Sequence, residues 1–187
     1  DDTLWSESAG EIQFTEYGLS GPVIFEVSRD VCQGKGNWQC RLDLLPQISA
    51  RQLEKMLLDR RETKLNAGDL FTGILHNRLG RVLVQEIGIG LNTPIAQLPE
   101  AAAARAAASA KCFSVHLTEP LGMDSAQVTA GGVVTEEFDG TTMESRLVPG
   151  LYACGEVLDV DGDCGGYNLQ WAWSSGSLAG QNAGRGE

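Results

Sequence analysis

The sequence is poor in the residues from which reactive centres are most often built. It has two histidines, His76 and His116, far apart in 187 residues, so a zinc or iron site based on imidazole is poorly supported. Basic residues number 14 against 25 acidic ones, a formal net charge of −11. That balance argues against nucleic acid, whose phosphates need a basic footprint, and against an anionic membrane surface. No apolar run approaches the ~18 residues of a spanning helix. The opening DDTLWSES lacks the basic-then-apolar order of a secretory leader. The five cysteines, Cys32, Cys40, Cys112, Cys154 and Cys164, are odd in number and never spaced C-x-x-C. They fit reduced thiols and a cytoplasmic location better than a disulfide framework. Neither G-x-x-x-x-G-K-[ST] nor G-x-G-x-x-G occurs, so the common nucleotide-phosphate cradles are missing.

What is present reads as mixed α and β. In GEIQFTEYG, Ile12 and Phe14 alternate with polar neighbours as in a half-buried strand. A helix follows, with Ser20 as its cap, Pro22 in its first turn, and Val23, Ile24, Val27 and Val31 on one face. WQCRLDLLP alternates again, with Trp38, Cys40, Leu42 and Leu44 on one side. Ser49 and Gln52 form a capping box, Ile48 can staple onto Leu53, and Leu53, Met56 and Leu57 make the buried face. A second helix is expected from about Leu70 to Ile87, ended by Gly88, with Phe71, Ile74, Leu75, Leu79, Val82, Leu83 and Ile87 as its stripe. PEAAAARAAASAK predicts a third, carried by alanine propensity with Arg105 solvated. Beyond residue 112 the pattern turns to strands: CFSVHLTEP, AQVTAGGVVTEEF, a hairpin turn at Asp139-Gly140, and GLYACGE as a strand buried on both faces.

The densest chemistry lies in GEVLDVDGDCGGYNLQWAWSSGSLAG, from Gly155 to Gly180. Asp159, Asp161 and Asp163 match the first ligands of an EF-hand loop. The required glycine is Cys164, however, and the closing Glu is Gln170. Phosphate is disfavoured by four carboxylates within eight residues and no Lys or Arg. A neutral, polarisable group suits the segment better. Gly165 and Gly166 let backbone amides approach a flat ring, and a helix starting near Asn168 directs its positive end there. Carboxylates can accept hydrogen bonds from sugar-alcohol hydroxyls. An isoalloxazine with its ribityl chain meets all three demands. A partly buried dipole contributes up to ~2 kcal/mol, which corresponds to roughly 40 mV for a two-electron couple. That tunes a flavin without binding one by itself. Ala172, Gly176, Ala179, Gly180 and Ala183 form a small-residue face for close packing, and Trp171 and Trp173 are expected to pack.

VTAGGV, the stretch TMESRLVPGLYACGEVLDVDGDCGGYNLQWAWSSGSLAG and, upstream, FTEYGLSGP together resemble the HI0933-like flavoproteins. These are FAD-dependent, NAD(P)-linked bacterial oxidoreductases that include aminoacetone-oxidase-like and BaiN-like members. The resemblance implies an α+β, multidomain fold. An insert domain at 1–121, with a small β-barrel part and helices at about 49–110, would precede the C-terminal segment of a split Rossmann-like FAD-binding domain at 122–187. It implies that Glu156 bonds the ribityl chain and that Gly155 is among the cofactor-binding residues. Gly165, Gly166, Tyr167, Asn168 and Leu169 would meet the flavin edge, and Gly131 and Gly132 its face. The chain reads as a C-terminal fragment without the G-x-G-x-x-G half, inactive alone and weak in FAD binding. The expected partners are NAD(P)H and a small-molecule substrate. An exposed domain remnant also offers strand edges through which copies can pair. Many members read Thr-His before GLSGP. Here the pair is Thr15-Glu16, so that histidine's role does not transfer and the catalytic residues stay unassigned.

Other features read more simply. GLSGP resembles a nucleophile elbow, but Pro22 replaces the needed glycine. Cys154 and Cys164 are better explained as a buried strand residue and a loop residue than as a redox pair. His116 falls on a polar strand face and His76 beside an apolar helix stripe. The alternative to the flavoprotein is a cofactor-free binding module.

Overall fold

The computed structural model describes residues 3–34 and 36–185. Its elements are β1 (Gln13–Thr15), β2 (Gly18–Ser20), α1 (Pro22–Gln33), β3 (Trp38–Leu42), α2 (Ala50–Asp59), α3 (Asn77–Glu86), α4 (Glu100–Lys111), β4 (Phe113–Leu117) and α5 (Tyr167–Ala183), joined by loops and short 3-10 turns. Residues 37–118 form one compact unit; residues 1–36 and 119–187 form the other. The class is α+β with small sheets. Among the described residues, β1 pairs antiparallel with β2, and β3 with β4.

The 37–118 unit is a helical core closed by the β3–β4 ribbon. Trp38, Cys40 and Leu42 turn to its half-buried side, and burial pushes the Cys40 thiol pKa up. The capping box forms as expected: the Ser49 hydroxyl accepts the Gln52 amide, and Gln52 reaches back to the Ser49 amide at 3.0 Å. Leu53 and Leu57 are fully buried, but Met56 is left exposed. In α4 the alanines pack as well as favouring helix. Ala102, Ala103, Ala106, Ala107 and Ala110 are all buried in the core that holds Leu53 and Leu57, while Arg105 is exposed. Lys111 closes the unit, donating to the carbonyls of Leu45 and Ile48 at 2.8 Å each and pairing with Asp43 at 2.6 Å.

The second helix begins later than its apolar stripe suggests, at Asn77 instead of Leu70. Gly73 takes φ +77°, which ends any helix there, and a 3-10 turn covers Ala67–Asp69. Arg60 bonds the carbonyl of Thr72 at 2.7 Å and that of Asp69 at 3.2 Å, the latter also accepting the Thr72 amide. The later start rotates the face: Leu83 and Val84 are buried and Val82 is exposed. His76 becomes the residue before α3, exposed.

In the other unit, α1 starts one residue after the expected cap. Gly21, at φ +107°, holds the N-cap position, and no side chain caps it. A Cβ there would lie 2.8 Å from the Glu11 carbonyl, so Ser20 could not be moved into its place. Strands expected within 126–138 and 150–156 do not form among the described residues. Single bridges stand in their place, Val133 to Leu158, Phe138 to Ser145 and Glu144 to Tyr152. A strand buried on both faces needs a ladder on each side, and GLYACGE has only the Tyr152 bridge, with Cys154 exposed. The Asp139-Gly140 turn is wider than a two-residue hairpin. Asp139 accepts both the Thr141 amide and hydroxyl, and Met143 takes φ 63° before the chain returns. These hydrogen bonds from Thr141, aided by Arg146, hold the Asp139 carboxyl below its usual range. Phe138, Met143, Leu158 and Ala179 form the small core, with Trp171 packed against it. Trp173 is exposed and does not pack as expected.

The Gly80–Phe71 contact yields a prediction whose sign is decided by magnitude. Alanine in a helix interior is favoured over glycine by about 1 kcal/mol. A Cβ at Gly80 would lie 2.7 Å from Phe71 Cβ, in a side chain that is 1% exposed. Overpacking of that kind costs about 1–3 kcal/mol. Gly80→Ala should therefore lower the urea-unfolding stability by up to about 2 kcal/mol, against the propensity expectation.

Candidate functional site

The candidate site is built on α5 and the loop that precedes it. Gly166, in the left-handed conformation at φ 92°, sets the start of the helix, and Gly165 has φ +122°. The first intrahelical bond runs from the Gln170 amide to the Gly166 carbonyl at 2.9 Å. The amides of Tyr167, Asn168 and Leu169 precede it and have no acceptor within the helix. Tyr167 and Leu169 are 65% and 60% exposed. A Cβ on Gly166 would meet nothing within 4 Å, so the glycine keeps this end of the helix open to whatever approaches it.

One face of α5 fastens the loop in front of it at two points. Asn168 reads the whole backbone of Gly162: its carbonyl oxygen accepts the Gly162 amide at 2.8 Å and its NH2 donates to the Gly162 carbonyl at 2.9 Å. Further along, Ser175 Oγ accepts the Gly155 amide at 2.9 Å, and Trp171 Nε1 donates to the Gly155 carbonyl at 3.0 Å. Asn168, Trp171 and Ser175 stand at i, i+3 and i+7, the spacing of one helical face. Gly155 is buried at φ +71° over Ala172.

Gly131 and Gly132 meet the far side of the same loop. Val133 exchanges backbone bonds with Val157 at 2.8 Å and Asp159 at 2.9 Å. A Cβ on Gly132 would lie 2.7 Å from three backbone atoms of Val157–Asp159, so this close approach requires glycine. Glu156 is exposed, and one of its carboxylate oxygens accepts the Thr129 amide at 2.5 Å. The structure therefore sets Gly132 against Val157–Asp159 and Thr129 against Glu156, while a Cβ on Gly131 would meet nothing within 4 Å. Among the described residues no hydrogen bond joins Gly131 or Gly132 to residues 165–169. The acidic loop is also tied to α1, through Arg29 and Asp161 at 3.0 Å with the Asp161 side chain only 13% exposed. Sequence reasoning missed Arg29, Thr129, Ser175 and the role of the Trp171 indole. The spacing of Asn168, Trp171 and Ser175 was the available signal for the last two.

The small-residue face of α5 is covered in part: Ala172 lies under Gly155 of the short 3-10 turn Gly155–Val157, and Ala179 joins the small core. Gly176, Ala179, Gly180 and Ala183 floor an open apolar depression of about 690 Å³, walled by Val133, Phe138, Leu151, Tyr152 and Val157. Cys154 also reaches this surface. Loss of water contact and the nearby Glu144 carboxylate raise the Tyr152 pKa. Among the described residues no cluster of His, Cys, Asp and Glu has the makings of a metal site, and no helix is long and apolar enough to cross a membrane.

Two family profiles match. The HI0933-like protein barrel and H2TH domain covers residues 5–128, and the HI0933-like protein Rossmann domain covers residues 79–182. The chain is 40% identical over 184 residues to the 3-dehydro-bile acid delta(4,6)-reductase of Clostridium scindens, across 95% of this chain and 45% of that protein. It is 36% identical over 169 residues to the ribosomal RNA dihydrouridine synthase of Escherichia coli, across 87% of this chain and 39% of the other. The corresponding synthase of Haemophilus influenzae is 32% identical across 88% and 40%. The chain thus spans less than half the length of these curated relatives. Together with the loop-and-helix geometry, these matches establish that the chain belongs to the HI0933-like family.

Proposed function

We propose that this chain is the insert and C-terminal portion of an FAD-dependent oxidoreductase. Residues 1–121 supply the substrate-side insert, and residues 122–187 return to a split Rossmann-like FAD-binding domain. The observation that carries the reading is the amino end of α5, where three amides without intrahelical acceptors follow the diglycine Gly165-Gly166. The residues present fit the cofactor. Gly131 and Gly166 would direct a Cβ into open space, so backbone can meet a flat ring at both. Glu156 keeps one carboxylate oxygen beyond its bond to Thr129, available to a ribityl hydroxyl. Asn168 is spent on Gly162, so its contribution at the flavin edge is its backbone amide.

FAD, when bound, supplies hydride exchange between NAD(P)H and the substrate. The residues of this chain would bind and orient it: amides 167–169 would face the part of the ring where negative charge accumulates, and an exposed helix end contributes about 0.3–1 kcal/mol there. Dihydrouridine is uridine with two hydrogens added, and a delta(4,6)-reductase by its name adds hydrogen to double bonds. An electron-poor carbon–carbon double bond is thus the substrate feature we carry to this chain, on a small molecule.

An RNA-borne substrate is the second reading. The net charge hides an asymmetry that favours it: residues 37–118 hold ten Lys and Arg against seven Asp and Glu. Charge imbalance between parts of a chain is a mark of nucleic-acid contact. In a mobility-shift titration with ribosomal RNA, the small-molecule reading expects no binding by the full-length protein at 150 mM salt. Retardation that weakens steeply with salt would favour RNA.

The full-length protein is expected to purify yellow and to release flavin on denaturation. A colourless protein that ignores added FAD would reject the proposal. Gly166→Ala places a side chain at a left-handed position, at about 1–2 kcal/mol. It should weaken FAD binding by roughly tenfold in a fluorescence titration, with far-UV circular dichroism unchanged.

A further inference from the structure

We propose that Ser175 is a positioning residue that sets the Glu156 carboxylate through the Gly155 peptide; the inference rests on the FAD reading above. Ser175 is 2% exposed, so it has no direct route to a ligand, and any effect on a bound group must be transmitted. Both capacities of its hydroxyl are used. It accepts the Gly155 amide at 2.9 Å and donates to the Trp171 carbonyl at 2.6 Å. From one turn earlier, the Trp171 indole N–H holds the Gly155 carbonyl at 3.0 Å. Gly155 is therefore gripped on both sides of its Cα, at φ +71°, and Glu156 is the next residue.

Loss of the Ser175 hydroxyl would leave the Gly155 amide buried without an acceptor, which destabilises that arrangement. A Cys154–Gly155 peptide turned to find another partner moves the Gly155 Cα, and with it the next peptide, which leads to Glu156 and is held by Trp171. The carboxylate would then lose its register with the Thr129 amide, now 2.5 Å away, and with any ribityl hydroxyl on its other oxygen. The same helix that presents amides 167–169 also holds Glu156. Both contacts to the cofactor are thereby referred to one rigid body, about 10 Å long from Asn168 to Ser175.

The test uses full-length apoprotein titrated with FAD, read by flavin fluorescence, in wild type, Ser175→Ala, Glu156→Ala and the double variant. Ser175→Ala should weaken binding about tenfold, an effect of the size expected for one buried hydrogen-bond partner. In the Glu156→Ala background it should have little further effect, because its action runs through that carboxylate. Trp171→Phe, which keeps a ring and removes the N–H, should weaken FAD binding in the same direction and serves if Ser175→Ala fails to fold. Effects of Ser175→Ala and Glu156→Ala that add in full would overturn the inference, as would wild-type affinity in both Ser175→Ala and Trp171→Phe. Wild-type protein that takes up no FAD would overturn the FAD reading and this inference with it.

Discussion

The grip of α5 on the Gly155 peptide is the contact on which the rest of the site depends. A buried peptide must find partners for both its N–H and its C=O, and an unpaired group costs about 1–3 kcal/mol. Here one helix supplies Ser175 to the N–H and Trp171 to the C=O, and the carbonyl also accepts the Leu158 amide at 3.2 Å. The helix is thus a floor for the loop as well as a dipole aimed at its front. Asn168 repeats the arrangement two turns earlier, on Gly162. The loop between these two glycines has little freedom to carry its carboxylates elsewhere, although its backbone contains almost no regular structure.

The helical unit relies on a different device, close approach between small residues. Alanines of α4 share a core with Leu53 and Leu57 of α2, and Gly80 of α3 admits the Phe71 side chain. The rim is held by polar groups placed where helices end. Ser49 caps α2, Lys111 serves the carbonyls after β3, and Arg60 serves those before the turn at Gly73. Ser49 satisfies an amide that the first turn of a helix cannot satisfy internally, while Lys111 and Arg60 reach the carbonyls of Ile48 and Thr72 and add a second donor to those of Leu45 and Asp69.

Local signals in the sequence were legible where local physics decides. The capping box, the β3 and β4 alternation and the solvated Arg105 all follow from patterns a few residues long. Signals that depend on distant partners were not. The stripe from Phe71 to Ile87 does fit a helical period, but the φ of Gly73 interrupts it. GLYACGE is apolar enough for an inner strand, yet only Tyr152 finds a bridge. At the candidate site Gly165 and Gly166 stood out as a diglycine before a helix, and the family resemblance pointed to Glu156, Gly131 and Gly132. Ser175 did not, because a serine inside a helix of small residues looks like one more small residue. Its meaning comes from the peptide placed opposite it, and periodicity alone could have suggested only that it shares a face with Asn168 and Trp171.

The charge pattern around α5 bears on what its amino end can receive. Glu156, Asp159, Asp161 and Asp163 all precede the helix, and a helix terminus carries the equivalent of roughly half a positive charge. Arg29 neutralises only Asp161. A ligand that arrives as an anion therefore meets net repulsion before it reaches the amides. A ligand that arrives neutral at its ring meets no such barrier, and the dipole acts on it only as charge develops. Carboxylates that would expel a phosphate are useful acceptors for hydroxyl groups on a neutral chain. The same four acids thus exclude one class of occupant and suit another.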